Sequence, residues 1–184
     1  MKVGVLLAPP PEDLGEWLAD AVALDAAGAD ALWIDPGGED PAALAAALAA
    51  LTFRSLLVIA WPAGQEPALA TVERLSRGRL ALVGETAPAK LPQHRAAAPP
   101  RPPLPGIAVF RELDDGGFEG PGEEPERWEP TGPPEGRAGW RAAVAEATAR
   151  GVAGLLVQAG PQLLDLLRNP DGRGDRRDLQ LAQG

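Results

Sequence analysis

Residues 70–84, Ala-Thr-Val-Glu-Arg-Leu-Ser-Arg-Gly-Arg-Leu-Ala-Leu-Val-Gly, constrain the fold of this chain more than any other stretch. A helix closes at Gly78, one arginine follows, and an apolar strand begins almost at once. A strand entered within a residue or two of a helix C-cap is the mark of a repeating β/α unit. The upstream sequence keeps the same rhythm. Met1–Ala8 reads as a strand, Glu12–Ala27 as a helix closed by Gly28, and Ala31–Asp35 as a strand. Pro41–Leu51 then reads as a helix and Ser55–Trp61 as a strand. Segments 3–8, 31–35, 56–61 and 80–83 are nearly continuous apolar runs, which suit parallel strands covered on both faces. In the first helix Leu14, Trp17, Leu18, Ala21, Val22 and Asp25 recur at helical spacing, and all but the last are apolar.

After residue 84 the chain changes character. Residues 84–139 are dense in proline and glycine, and His94–Pro105 reads as an irregular or polyproline II connection. Ile107–Leu113 reads as a strand, Asp114-Asp115-Gly116-Gly117 as a turn, and Glu126–Thr131 as the antiparallel partner. The β/α rhythm then returns. Trp140–Arg150 reads as a helix ended by Gly151, Gly154–Gln158 as a strand, and Pro161–Arg168 as a helix with proline in its first turn. A (β/α)8 barrel typically takes about 250 residues, and this chain has 184. The expectation is one α/β domain over residues 1–184: a shortened, incomplete barrel of parallel β/α units with an inserted antiparallel hairpin. A barrel short of several units leaves apolar edges to cover, so a homodimer is expected.

Charge and composition narrow the function. The net charge is −9, which offers no electrostatic footprint for nucleic acid or an anionic membrane surface. Without cysteine there are no disulfides, no thiolate chemistry and no Cys-ligated metal. The first apolar run is too short for a signal peptide and no stretch is long enough for a membrane span, so the cytoplasm is the expected compartment. One histidine and no compact acidic ligand pattern leave no expected metal site.

In a parallel barrel ligands bind where strands end at their carboxyl edge. Here those ends are Ala8–Pro11, Asp35–Gly38, Trp61–Gly64, Gly84–Thr86 and Gln158–Gly160. Gly160 before the helix at Pro161 is the best anion candidate, with Gln162 beside it, although Pro161 removes one N–H donor and an ordinary strand-to-helix turn explains the same residues. Asp35 suits either a polar site or a solvated loop, and Asp40 suits an N-cap. Trp61 suits either stacking on a flat heterocycle or plugging the core. His94 has no local partner and reads as a surface residue. Ser55, Ser76, Arg77 and Arg79 fall at the amino edge of the sheet, away from chemistry.

The wording of three segments resembles a known family. Ala26-Ala27-Gly28-Ala29-Asp30-Ala31-Leu32-Trp33-Ile34-Asp35, Ala49-Ala50-Leu51-Thr52-Phe53-Arg54 and Leu75-Ser76-Arg77-Gly78-Arg79 are similar to the first half of the bacterial luciferase-like oxidoreductases. The resemblance covers residues 1–84 well and 140–170 loosely. It implies a (β/α)8 scaffold and use of reduced FMN or the deazaflavin F420, in monooxygenation or hydride transfer on a small-molecule substrate. A cofactor held this way would place its phosphate near Gly160 and Gln162 and its ring towards Trp61 and Gly84. The chain also departs from the family. Strand four ends Val83-Gly84-Glu85-Thr86, which keeps one glycine of the usual Gly-x-Gly, and no histidine ends strand two. A non-catalytic relative that keeps the scaffold as a binding or structural protein is the alternative.

Overall fold

The computed structural model describes residues 1–10, 12–35, 37, 39–60, 62, 64–84, 106–121 and 124–169. Within them the order is β1 (Lys2–Leu7), α1 (Leu14–Ala27), β2 (Ala31–Ile34), α2 (Pro41–Leu51), β3 (Leu56–Ala60), α3 (Glu66–Ser76) and β4 (Leu80–Gly84). There follow β5 (Ala108–Glu112), β6 (Phe118–Glu119), β7 (Arg127–Thr131), α4 (Gly136–Ala149), β8 (Gly154–Gln158) and α5 (Pro161–Arg168). Local chemistry accounts for the helix ends. Asp13 and Asp40 cap α1 and α2 by accepting first-turn N–H groups. Gly28 closes α1 at φ 97°, a conformation that costs glycine nothing. α3 stops one turn position earlier than the glycine implies, because Arg77 itself adopts the left-handed cap at φ 58°. α4 begins at Gly136 rather than Trp140; two glycines and an arginine hide its first turn from a propensity reading.

The eight strands form a closed barrel in chain order, which corrects the expectation of an incomplete one. β1 pairs in parallel with β2 and, through Gly4↔Leu156 and Leu6↔Gln158, with β8. Closure removes the open edges from which self-association was expected. It also explains how a short chain completes the ring. The predicted hairpin over Ile107–Thr131 is a three-stranded meander: β6 pairs antiparallel with β5, and β7 antiparallel with β6. Gly116 at φ 78° turns the chain, with its N–H donating to the Leu113 carbonyl and Leu113 N–H donating to Gly117. Two reversals restore the original direction, so β7 runs parallel to β8 and pairs with it. Between β5 and β6 the turn at Gly116 thus replaces the helix that usually carries the chain between strands.

Alternation along each strand separates two cores. Outward residues such as Val5, Leu32, Leu57, Leu80 and Leu155 pack under the helices with Ala21, Leu24, Leu48, Leu69 and Leu163. Inward residues Ala31, Trp33, Val58, Ala81, Phe110, Trp128 and Leu156 fill the barrel. The indoles fit because their neighbours lack side chains. A Cβ at Gly154 would overlap the Trp128 ring, and one at Gly4 would sit 2.5 Å from Leu156 and 3.0 Å from Trp128. Trp33, Phe110, Trp128 and Phe118 form a chain of ring contacts, with centroids 5.0 Å apart for Trp33–Phe110, 5.7 Å for Phe110–Trp128 and 4.7 Å for Trp33–Phe118. Such pairs each add about 1 kcal/mol beyond area burial. The outer face of β5–β7 is polar instead. Arg127 bridges Asp115 at 2.6 Å and Glu129 at 2.8 Å, Arg150 reaches Glu129 at 2.7 Å, and Arg111 pairs with Glu119. Exposed pairs of this kind add at most about 1 kcal/mol each; they keep the face wettable.

At the amino end one buried acid organises the turns. Asp25, the polar member of the α1 apolar stripe, accepts N–H bonds from Phe53 at 3.0 Å, Arg54 at 3.0 Å and Ser55 at 2.7 Å. Burial by itself raises its pKa, but these hydrogen bonds outweigh it and hold the carboxyl below its ordinary value. Ser55 donates its hydroxyl to Ala29 O at 2.8 Å, and Arg79 donates to Ser55 O and Thr52 O at 2.7 Å each. Segments 26–35, 49–54 and 75–79 therefore come together here through Ala29, Thr52 and Arg79.

Candidate functional site

Barrels built of parallel β/α units bind ligands at the carboxyl ends of their strands. The floor of this carboxyl mouth is apolar. Leu6, Val83 and Phe118 are partly buried and pack onto the inner core beneath. Gln158 ends β8 beside Leu6, and Ala159 N–H donates to Leu6 O at 2.8 Å, which fixes the β8–α5 turn over the end of β1. Gly160 follows as the N-cap of α5 with extended backbone, φ −177° and ψ 161°. Its carbonyl takes the N–H of Leu163 at 3.1 Å and of Leu164 at 3.3 Å. Pro161 has no N–H, so Gln162 carries the first free donor of the helix, a group with no partner inside an α-helix.

This turn lines a cleft of about 270 Å³ together with Pro133 and Pro134 from the segment after β7. A second hollow of about 420 Å³ adjoins it, between Gly136 and Arg137 of α4 and Pro161, Gln162, Asp165 and Leu166 of α5. Arg137 is tied there to Asp165 at 2.8 Å. The structure thus brings Gly160 and Gln162 together in one cleft. Gly84 ends β4, half-way round the ring from β8, where a Cβ would touch Val109 at 3.4 Å; it does not line the cleft. Trp61 and His94 lie outside the described residues. Asp35 spends its carboxylate on Gly37 N–H at 2.9 Å, and Asp40 on Ala42 N–H at 2.8 Å, so both serve loop and cap. Ser55 and Arg79 sit at the opposite end in the network around Asp25, and Ser76, in the last turn of α3, donates its hydroxyl to Glu73 O at 3.0 Å.

Two features went unread in the sequence. Asp25 was legible only as a polar exception in an apolar stripe, and its partners are 28 to 30 residues away. The aromatic filling of the barrel had a signal in glycines at 4 and 154 within apolar strands, since glycine in a strand marks close approach by another group. The indole N–H groups of Trp33 and Trp128 are buried without hydrogen-bond partners. Among the described residues no group of three His, Cys, Asp or Glu side chains is arranged to hold a metal ion. No helix of the described residues is long and apolar enough to cross a membrane.

No protein-family model matches this chain, and no curated protein matches it. Among solved structures it is similar to the monooxygenase RslO1 from Streptomyces bottropensis, at 23% identity and a TM-score of 0.37. That match covers 46% of this chain and 33% of the monooxygenase, so it spans about a third of that protein's length.

Proposed function

We propose that the carboxyl mouth is a binding site for a small anionic molecule with a planar ring, and that the chain is an oxidoreductase of the luciferase-like type using FMN or F420. The observation that carries this reading is the cleft at the β8–α5 turn, where Gly160 and Gln162 meet. The residues fit such a group. Gly160 presents no side chain, its Cβ position has no protein atom within 4 Å, and the Gln162 N–H faces no intrahelical acceptor. Partly buried Leu6, Val83 and Phe118 offer an apolar floor for a ring. When bound, such a cofactor supplies hydride transfer or oxygen activation. The chain's own part is to offer the phosphate the Gln162 N–H, to shield the ring's lower face from water, and to present the Gln158 amide at the rim. A backbone donor at a helix N-terminus, rather than net charge, carries the anion, because the protein as a whole is acidic.

The alternative, a non-catalytic binding or structural relative, is favoured by strand four, where Glu85 stands after Gly84 in place of a second glycine-rich turn. Titration of FMN and of F420, followed by difference absorption, separates the two. Saturable binding that is lost in Gly160→Asp supports the oxidoreductase reading. Absence of any spectral change with either cofactor sinks it and leaves the scaffold reading. Binding that is undiminished in Gly160→Asp moves the site elsewhere.

A further inference from the structure

Three of the large apolar side chains most open to solvent gather at the amino end of the barrel, opposite the proposed site. They are Leu51 at 43% exposure, Phe53 at 65% and Leu75 at 46%. Leu51 ends α2, Phe53 follows it, and Leu75 lies in the last turn of α3, which packs beside α2. Phe53 is held there from beneath. Its N–H is bound to Asp25, and Arg79 clamps the carbonyls of Thr52 and Ser55 on either side. The ring itself faces water.

The rim of this patch is cationic. Arg77 lies over the Phe53 ring with its guanidinium carbon 5.9 Å from the centroid. Among the described residues Arg77 is also the one non-glycine with positive φ, so a strained backbone presents this side chain where glycine would be relaxed. Arg54 follows Phe53 and Arg74 precedes Leu75 in the chain, and both are exposed. Two acids of the packed helices are drawn inward. Asp25 is buried under its three N–H donors, and Glu73 is partly buried, with its carboxyl pushed up by burial. A basic rim around an apolar centre is unusual on a chain of net charge −9.

We propose that this patch is a docking surface for an acidic segment of another protein that carries a bulky apolar anchor. Charge complementarity selects the occupant. A second copy meeting the first through the same patch would set Arg54, Arg74 and Arg77 against their own equivalents, and like charges across an interface repel. A nucleic acid strand would engage the arginines and the ring, but it would leave Leu51 and Leu75 without apolar partners. An acidic peptide with a leucine or phenylalanine anchor satisfies rim and centre together.

Fluorescence anisotropy tests this with three fluorescein-labelled probes: a short Glu/Asp peptide with a central Leu-Phe, the same peptide with lysines for the acids, and an oligothymidine. The acidic peptide is expected to bind the parent saturably and to weaken as salt is raised. Its affinity should fall about tenfold or more in Phe53→Ala and in Arg77→Gly. The lysine peptide should not bind. Phe53 is exposed and Arg77→Gly relaxes its backbone, so both variants keep the fold, which circular dichroism verifies. No saturable binding of the acidic peptide, equal binding by both variants, or tighter binding of oligothymidine overturns the proposal. So does self-association of the parent in sedimentation that Phe53→Ala abolishes.

Discussion

Asp25 gives the sharpest test of how this barrel is held at its amino end. Removing its carboxylate in Asp25→Ala withdraws three acceptor contacts at once. Ser55 is fully buried, so its N–H is left without water or protein, at a cost of about 1–3 kcal/mol. Phe53 and Arg54 are exposed residues whose N–H groups water can reach, and each lost bond there costs about 0.5–1 kcal/mol. The sum is about 3 kcal/mol, a large share of the 5–15 kcal/mol that stabilises a typical domain. At roughly 2–4 °C per kcal/mol for a chain of this size, Tm should fall by about 6–12 °C. Asp25→Asn keeps the oxygen that serves Arg54 and Ser55 but turns an amide donor towards Phe53 N–H, so it should cost only about 1–2 kcal/mol. The pH dependence has a definite sign. The folded pKa of Asp25 is lowered, so its ionised form stabilises the native state fully above the unfolded value of about 3.9, and this stability is lost as pH falls through the lowered folded value. The gap between parent and Asp25→Asn should therefore shrink from pH 7 to pH 3. Urea unfolding followed by circular dichroism at both pH values measures it. An Asp25→Ala variant within about 0.5 kcal/mol of the parent, or a gap that does not change with pH, would refute this account.

At the other end of the barrel, Gly160→Asp should raise stability by a few tenths of a kcal/mol while abolishing cofactor binding. The site has room for the new side chain, and an aspartate there caps α5 by taking the N–H groups a phosphate would use; thermal melts alongside an FMN titration separate the two effects. Gly154→Ala should destabilise by about 1–3 kcal/mol, because the methyl group meets the Trp128 indole, and Gly154→Ala with Trp128→Leu should recover part of that loss in urea unfolding. Arg77→Gly should stabilise the fold by up to about 1 kcal/mol by relieving the left-handed backbone, read as a higher urea midpoint. Arg79→Met should lower the midpoint by about 2 kcal/mol, since the carbonyls of Thr52 and Ser55 lose a charged donor.

Much of this protein was legible one residue window at a time. The strands at 2–7, 31–34, 56–60, 80–84 and 154–158 and the helices at 41–51 and 161–168 follow from apolar runs, caps and glycine stops, because each depends on contacts within a few residues. The edge of the sheet to which each loop belongs follows from the same alternation, which puts Gly160 and Gln162 at the carboxyl edge and Ser55 and Arg79 at the amino edge. Closure of the barrel was decided only in three dimensions. It depends on β8 finding β1 about 150 residues earlier, and on a two-residue strand, Phe118–Glu119, too short to carry a period of its own. The inner core was decided there too, since a glycine at 154 gains its meaning from an indole at 128 that fills its place. Asp25 is the same case in polar form. Its sequence neighbours announce only a helix face, and its role comes from three N–H groups that the fold carries to it from the turn between α2 and β3.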